Sequence, residues 1–176
     1  MLDWALSVLF VFLTVWAVIA VHELGHYYAG RRIVGVPATD IKLVDPYFPR
    51  YVALRDGDEW VSPTDLERYR GAYLKYDEDG EHIERYVAAG ELVQAAIVAP
   101  TAFLVGLLFS VDVAVTVLLV SLLTTLLYVA IDAVGTLYRG RPSGDYSVLW
   151  QATPRLPLFL LLGFVSVHVV PLLILT

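Results

Sequence analysis

The sequence predicts an all-α membrane protein with four transmembrane helices and a small cytosolic insertion, which can be α+β, between the first and the second. Two observations lead to this prediction. Hydrophobic residues make up 58% of the 176-residue chain, which is more than an ordinary soluble domain contains. Four stretches also lack any Asp, Glu, Lys or Arg, and each is about long enough to cross hydrocarbon. They are residues 4–21, 92–111, 113–131 and 156–176.

We expect one membrane-embedded domain over residues 1–176. All 12 Lys and Arg lie in two polar segments, so the positive-inside rule predicts that both segments are cytosolic. The composition favours a multi-pass protein of a prokaryotic cell membrane. The predicted spans are about residues 3–30, 87–110, 113–138 and 156–176, and the cytosolic segments are residues 31–86 and 139–155.

The first cytosolic segment carries signals for short strands and for one helix. Two runs fit strands, and Pro and Gly between and after them predict turns. A start signal at residues 62–65 is followed by Leu66 and three tyrosines at helical spacing. This helix fits a position on the membrane surface and equally a small packed subdomain. The residues concerned are 41–44 and 51–54 for the strands, Pro46, Pro49 and Gly57 for the turns, and Tyr69, Tyr73 and Tyr76 for the helix.

The first apolar segment contains the motif HELGH at residues 22–26. Ionisable side chains are costly in a bilayer, so this motif predicts a function. His22 and His26 are four residues apart and share one helix face, so their imidazoles can bind one metal ion. Glu23 can then act as general base toward a water on that metal. The chain has no cysteine, and two imidazoles with a carboxylate suit zinc best.

Three carboxylates compete to be the third ligand. Counted from the cytosolic arginines at 1.5 Å per residue, His22 lies about 13 Å deep and Asp132 about 10 Å deep. Asp132 is therefore level with the histidines, in a span parallel to the first, and we favour it. Glu91 lies about 9 Å deep in the second span. Asp145, in the second cytosolic segment, can fold back over the site, so Asp145 and Glu91 stay open as alternatives.

Other polar residues complete the predicted bundle interior. Gln94 is a candidate for hydrogen bonding to an oxyanion or to substrate backbone, and an interhelical hydrogen bond is its simpler explanation. Ser121 and Thr125 lie one turn apart on a polar stripe of the third span. His168, in the fourth span, is expected to be a hydrogen-bonded bundle residue. The net charge of −6 argues against nucleic acid as a partner.

The order of these residues resembles the site-2 protease family of intramembrane zinc metalloproteases. The resemblance covers roughly residues 5–140 and rests on HELGH in one span, a second span, and Asp132 in a third span parallel to the first. The family carries a Gly-Pro-x-x-Asn element in its middle helix, where residues 90–94 here read GELVQ. The family's aspartate usually stands in Leu-Asp-Gly. Here Asp132 stands in Ile-Asp-Ala, and Gly144-Asp145 has the last two residues reversed.

The resemblance implies a zinc endopeptidase that cuts membrane-embedded substrates, with the active site toward the cytosol. Its substrate would be a transmembrane helix that unwinds locally, because the amides of an intact helix are already hydrogen-bonded. The alternative is a membrane protein without catalytic activity that holds a structural or sensory zinc ion. A structural site normally has four protein ligands, whereas a catalytic site keeps one position open. A third possibility is that the histidines bind no metal.

Overall fold

Six helices and one small sheet make up the protein in our computed structural model, which describes residues 2–44 and 51–176. Four of the helices are long and apolar enough to cross a membrane, by length and composition. The elements in chain order are α1 (Leu2–Ala29, continued by a π-helical turn at Gly30–Val34), β1 (Ile41–Val44), β2 (Tyr51–Asp56), β3 (Glu59–Val61), α2 (Leu66–Leu74), α3 (Ile83–Leu108), α4 (Val111–Arg139), α5 (Asp145–Ala152) and α6 (Leu156–Leu175).

Helix α3 occupies the centre of the bundle, where it contacts α1, α4 and α6. Small residues bring α1 and α3 close together. A Cβ atom added to Gly25 would lie 2.3 Å from the carbonyl oxygen of Ala89, so only glycine fits this contact. Small side chains allow this kind of close approach between apolar helices. The contact places the HELGH segment directly against the residues around position 90 of α3.

The predicted insertion contains a three-stranded antiparallel sheet with the order β1-β2-β3. Ile41 pairs with Leu54, and Leu54 pairs with Val61 on its other side. Gly57, at φ 64°, lies in the turn between β2 and β3, as expected from the sequence. Pro46 and Pro49, which the sequence predicts as turn residues, lie outside the described residues.

Helix α2 begins where the start signal predicts, with the Asp65 side chain accepting a hydrogen bond from the Arg68 N–H. Tyr69 and Tyr73 are buried in a core that includes β2 and the start of α3. The hydroxyl groups of Tyr69 and Tyr86 are 2.6 Å apart. Of the two explanations for the tyrosine pattern, the structure therefore supports the packed subdomain. This subdomain joins the ends of α1 and α3 that lie next to the candidate site.

A short helix, α5, lies between α4 and α6, where the sequence predicts only a cytosolic segment. Helix α4 ends at Gly140, which adopts a left-handed conformation (φ 66°) and turns the chain. Helix α5 begins at Asp145 and packs against both α3 and α4. Its first turn consequently lies beside the HELGH segment of α1.

Candidate metal centre

The two histidines of the HELGH motif face each other on α1, as their spacing predicts. The Nε2 atoms of His22 and His26 are 3.1 Å apart, and the rings meet edge to face. His26 is buried, and the side chain of His22 is 12% exposed. Both reactive nitrogen atoms are therefore directed at one point between α1 and its neighbours.

Asp145 supplies the carboxylate at this point. Its Oδ2 atom lies 3.2 Å from Nε2 of His22 and 3.1 Å from Nε2 of His26. Among the described residues, these three form the group of His and acidic side chains whose ligand atoms could hold one metal ion. Burial would raise the pKa of Asp145, but the imidazoles of His26 and His22, when protonated, outweigh it and hold that pKa well below its usual value. The carboxylate is therefore ionised, as metal ligation requires.

The structure corrects the expectation that Asp132 faces the histidines. Asp132 is buried, but its Oδ2 accepts a hydrogen bond from the backbone N–H of Ser147 at 2.8 Å, and its Oδ1 accepts one from the Ser147 hydroxyl at 2.5 Å. Thr136 donates a further hydrogen bond to Oδ1 at 3.2 Å. Both oxygen atoms of Asp132 are thus engaged by donors. Asp132 anchors the first turn of α5, the turn that carries Asp145.

Gly144 makes this anchoring possible. A Cβ atom at Gly144 would lie 2.9 Å from Cγ of Asp132, so a larger residue would push α5 away from α4. The Ser147 hydroxyl also accepts hydrogen bonds from the N–H groups of Ser143 and Gly144. These contacts hold the first turn of α5 in place, and they fix where the Asp145 carboxylate lies.

The outer nitrogen atoms of both imidazoles have acceptors, and this determines which nitrogen can bind a metal. Nδ1 of His26 is 3.0 Å from the carbonyl oxygen of Tyr86, which can only accept, so Nδ1 carries the hydrogen. Nδ1 of His22 donates to Oε1 of Gln94 at 3.1 Å. When both rings are neutral, their Nε2 atoms therefore present lone pairs to each other and to the Asp145 carboxylate. Three electron-rich atoms in mutual contact need a positive charge between them, which a proton or a metal ion can supply.

The spacing of these atoms fits zinc. Ligand atoms that surround zinc tetrahedrally at about 2.05 Å lie about 3.3 Å from one another. The three separations here are 3.1, 3.1 and 3.2 Å. Imidazole nitrogen and carboxylate oxygen are donors that zinc accepts in proteins. The donor set, its spacing and its outer hydrogen bonds all suit a zinc ion.

Glu23, the predicted general base, lies beside this group. Its carboxylate interacts electrostatically with His26, His22 and Asp145. Oε2 of Glu23 accepts a hydrogen bond of 3.0 Å from the backbone N–H of Val52 in β2. Strand β3 pairs only with residues 54–56 of β2, so Val52 lies past the end of β3. The sheet thus orients the Glu23 side chain, a contact that no feature of the sequence predicts.

Glu91 is not in the group of side chains that could hold the ion, and the Gln94 amide is engaged by other side chains. Oε1 of Glu91 is 4.0 Å from Nδ1 of His22, the nitrogen that faces away from the three converging atoms. The amide of Gln94 accepts from His22 and donates to Ser121 and Thr125, both at 3.1 Å. Of the two explanations considered for Gln94, the structure shows the interhelical hydrogen bond.

Besides the Val52 N–H, sequence reasoning missed three contributors to the site. Ser147 bonds to Asp132 and so helps to position the turn that carries Asp145, and the Tyr86 carbonyl orients the imidazole of His26. Gly90 leaves room for both imidazoles. A backbone carbonyl leaves no signal in a sequence. The run Ser143-Gly144-Asp145 followed by Ser147 could have been interpreted as a helix start, because small and polar residues favour that position.

Gly90→Ala should weaken zinc binding roughly tenfold or more, because a Cβ atom at this position would lie 2.6 Å from Nε2 of both histidines. Alanine is otherwise the better helix former by about 1 kcal/mol, so helix propensity opposes any loss of stability. Zinc affinity can be measured by competition with a chromophoric chelator. The control is Gly163→Ala in α6, where an added Cβ meets no atom within 4 Å. Wild-type affinity in Gly90→Ala would contradict the assigned position of the metal.

In comparisons with known proteins, no family model, no curated protein and no solved structure matches this chain. The resemblance to the site-2 protease family therefore stays a prediction that depends on the residues themselves.

Proposed function

We propose that this chain is an intramembrane zinc metalloprotease that hydrolyses peptide bonds of membrane-embedded substrates. The observation that carries the proposal is the convergence of His22, His26 and Asp145 beside Glu23, between helices of membrane length. Three protein ligands leave one coordination position for water, which is typical of catalytic zinc. The rival proposal of a structural zinc ion needs a fourth ligand, and the metal-ligand group among the described residues has three members.

The surface of the bundle supports a membrane location. Large apolar side chains are exposed along the four long helices, among them Leu127, Leu162 and Leu173. Water would disfavour so much exposed apolar surface, whereas lipid chains would cover it. Arg31 and Arg32 at the end of α1 and Arg139 at the end of α4 carry positive charge at the ends nearest the candidate site. We therefore propose that four helices cross the membrane and that the site faces the cytosol.

An apolar cavity provides room for part of a substrate. It has a volume of about 430 Å³ and lies between α1, α3 and α4. Leu13, Val18, Val98 and Val117 are among its lining residues, and its wall reaches Val21, which directly precedes His22. An unwound transmembrane segment could place an apolar side chain here while its backbone approaches the histidines.

The proposed mechanism assigns one role to each group. His22, His26 and Asp145 would hold zinc. As a Lewis acid, the bound zinc would lower the pKa of a water molecule and polarise the peptide carbonyl. Glu23 accepts the proton of the attacking water and returns it to the leaving amine. The Val52 N–H holds one Glu23 oxygen, and the other oxygen would take the proton. The amides of the substrate become available only where its helix unwinds.

The direct test uses the purified full-length chain in lipid vesicles with a fluorescent single-span peptide that carries Gly and Pro at its centre. We expect zinc-loaded protein to cut this peptide, a strong chelator to stop the cleavage, and added zinc to restore it. Metal content is measured on the same sample. Purified protein that binds no zinc, or cleavage that the chelator leaves unchanged, would contradict the proposal.

A further inference from the structure

A chain of hydrogen bonds leads from His22 to the last helix. Gln94 accepts from Nδ1 of His22 and contacts Ser121 and Thr125 of α4. The hydroxyl of Ser121 is 2.9 Å from Nε2 of His168 in α6. Gln94, Ser121 and His168 are each at most 2% exposed, so water does not compete for these bonds. The chain connects three helices to one imidazole of the candidate metal centre.

The donor and acceptor roles are fixed at the end of this hydrogen-bond chain that lies in α6. Nδ1 of His168 is 2.9 Å from the carbonyl oxygen of Phe164, which can only accept. Nδ1 therefore carries the hydrogen. The ring of Phe164 stacks on the imidazole at 4.1 Å between centroids, and the contacts of His168 are uncharged, so the ring is neutral. Nε2 of a neutral His168 is then an acceptor, and the Ser121 hydroxyl donates to it.

The groups between His168 and His22 in this hydrogen-bond chain have no fixed donor and acceptor roles of their own. A serine or threonine hydroxyl can donate or accept a hydrogen bond. A glutamine amide can flip by 180°, which exchanges the positions of its oxygen and nitrogen. Without His168, the hydroxyl groups of Ser121 and Thr125 could donate to Gln94. The amide would then offer its NH₂ group to Nδ1 of His22. In that arrangement the hydrogen of His22 would move to Nε2, the nitrogen that faces His26 and Asp145.

We infer that His168 is a positioning residue for the metal centre, which acts through Ser121 and Gln94 to keep the hydrogen of His22 on Nδ1 and the lone pair on Nε2. Because Ser121 must donate to His168, it accepts from Gln94, and the amide oxygen is left for His22. The role of His168 in metal binding rests on the proposed function, whereas its effect on the tautomer of His22 does not. Groups that orient a metal-binding imidazole in this way typically change metal affinity by 10- to 100-fold.

The test reads the tautomer of His22 directly in metal-free protein. The chain has four histidines, so selective ¹⁵N labelling of their rings gives few signals in an NMR spectrum. We expect the neutral imidazole of wild-type His22 to show only the form with hydrogen on Nδ1. His168→Leu removes the acceptor and should populate the form with hydrogen on Nε2. It should also raise the zinc dissociation constant roughly 10- to 100-fold. His168→Gln keeps an acceptor and a donor and should restore both properties.

Two smaller changes form a matched pair that does not depend on the folding of His168→Leu. Ser121→Ala and Thr125→Val each remove one hydroxyl at 3.1 Å from the same amide nitrogen, but only Ser121 contacts His168. Ser121→Ala should mix the tautomers of His22, and Thr125→Val should leave one. A single tautomer in Ser121→Ala, or equal mixing in both variants, would overturn the inference. Wild-type protein that binds no zinc but shows the single tautomer would remove the proposed function and leave this inference standing.

Discussion

Glu23→Gln should abolish peptide hydrolysis while the protein still binds zinc. Loss of a general base typically lowers a rate by about 10²- to 10⁴-fold, and an amide cannot accept the proton of the attacking water. The carboxylate is not among the three atoms that converge on the proposed metal position, so zinc affinity should stay close to that of the wild type. Cleavage of the single-span peptide and zinc content should be measured on the same vesicle preparation.

The structure makes this substitution a clean one. Glutamine keeps a side-chain oxygen that can accept the hydrogen bond from the Val52 N–H, so the contact between α1 and β2 persists. Glu23→Ala would break that contact as well and serves as the comparison. Equal thermal stability of the wild type and Glu23→Gln would show that the sheet still docks. Retention of wild-type cleavage in Glu23→Gln would exclude the proposed mechanism.

Asp145→Asn should weaken zinc binding by roughly 100-fold or more, because it removes the charge of a direct ligand. Asp132→Asn should weaken zinc binding less, by about 10- to 100-fold, because Asp132 acts by holding the turn that carries Asp145. Competition with a chromophoric chelator measures both affinities. The reverse order of the two losses would make Asp132 the ligand, as the sequence alone favours.

Ser147→Ala distinguishes anchoring from ligation. This change removes the hydroxyl that bonds to Oδ1 of Asp132, and it leaves both carboxylates intact. If Asp132 anchors α5, Ser147→Ala should reproduce part of the loss seen in Asp132→Asn. The double variant should then show less than the sum of the two effects, since both remove the same contact. Fully additive losses would speak against the anchoring role.

The parts of the site that sequence reasoning predicted are those set by helix periodicity. The spacing of His22 and His26 places both rings on one face of α1, and the structure has them there. Long runs without charge predict the four long helices, because length and composition alone define such segments. The buried tyrosines of α2 also follow from their spacing, although two packing arrangements fitted equally well.

The choice of carboxylate could not be predicted in the same way. Depth along the helices places Asp132 level with the histidines, and the structure indeed buries it in α4. The orientation of the Asp132 carboxylate depends on its hydrogen bonds with Ser147. Ser147 lies beside Asp132 only because the chain turns at Gly140 and α5 starts at Asp145. Such a tertiary fold-back leaves no periodic signal. An acid that the structure buries, as expected, can therefore still serve a different partner.

The three converging ligand atoms come from distant parts of the chain, and His26 and Asp145 are 119 positions apart in the sequence. Under the proposed ligation, zinc would cross-link α1, the first long helix, to the short helix α5. Unfolding would then require release of the ion, so the apparent stability depends on the free zinc concentration. At a zinc concentration of about 100 times the dissociation constant, the added stability is about 2.7 kcal/mol. The melting temperature would consequently report the zinc supply of the cell, independently of any substrate.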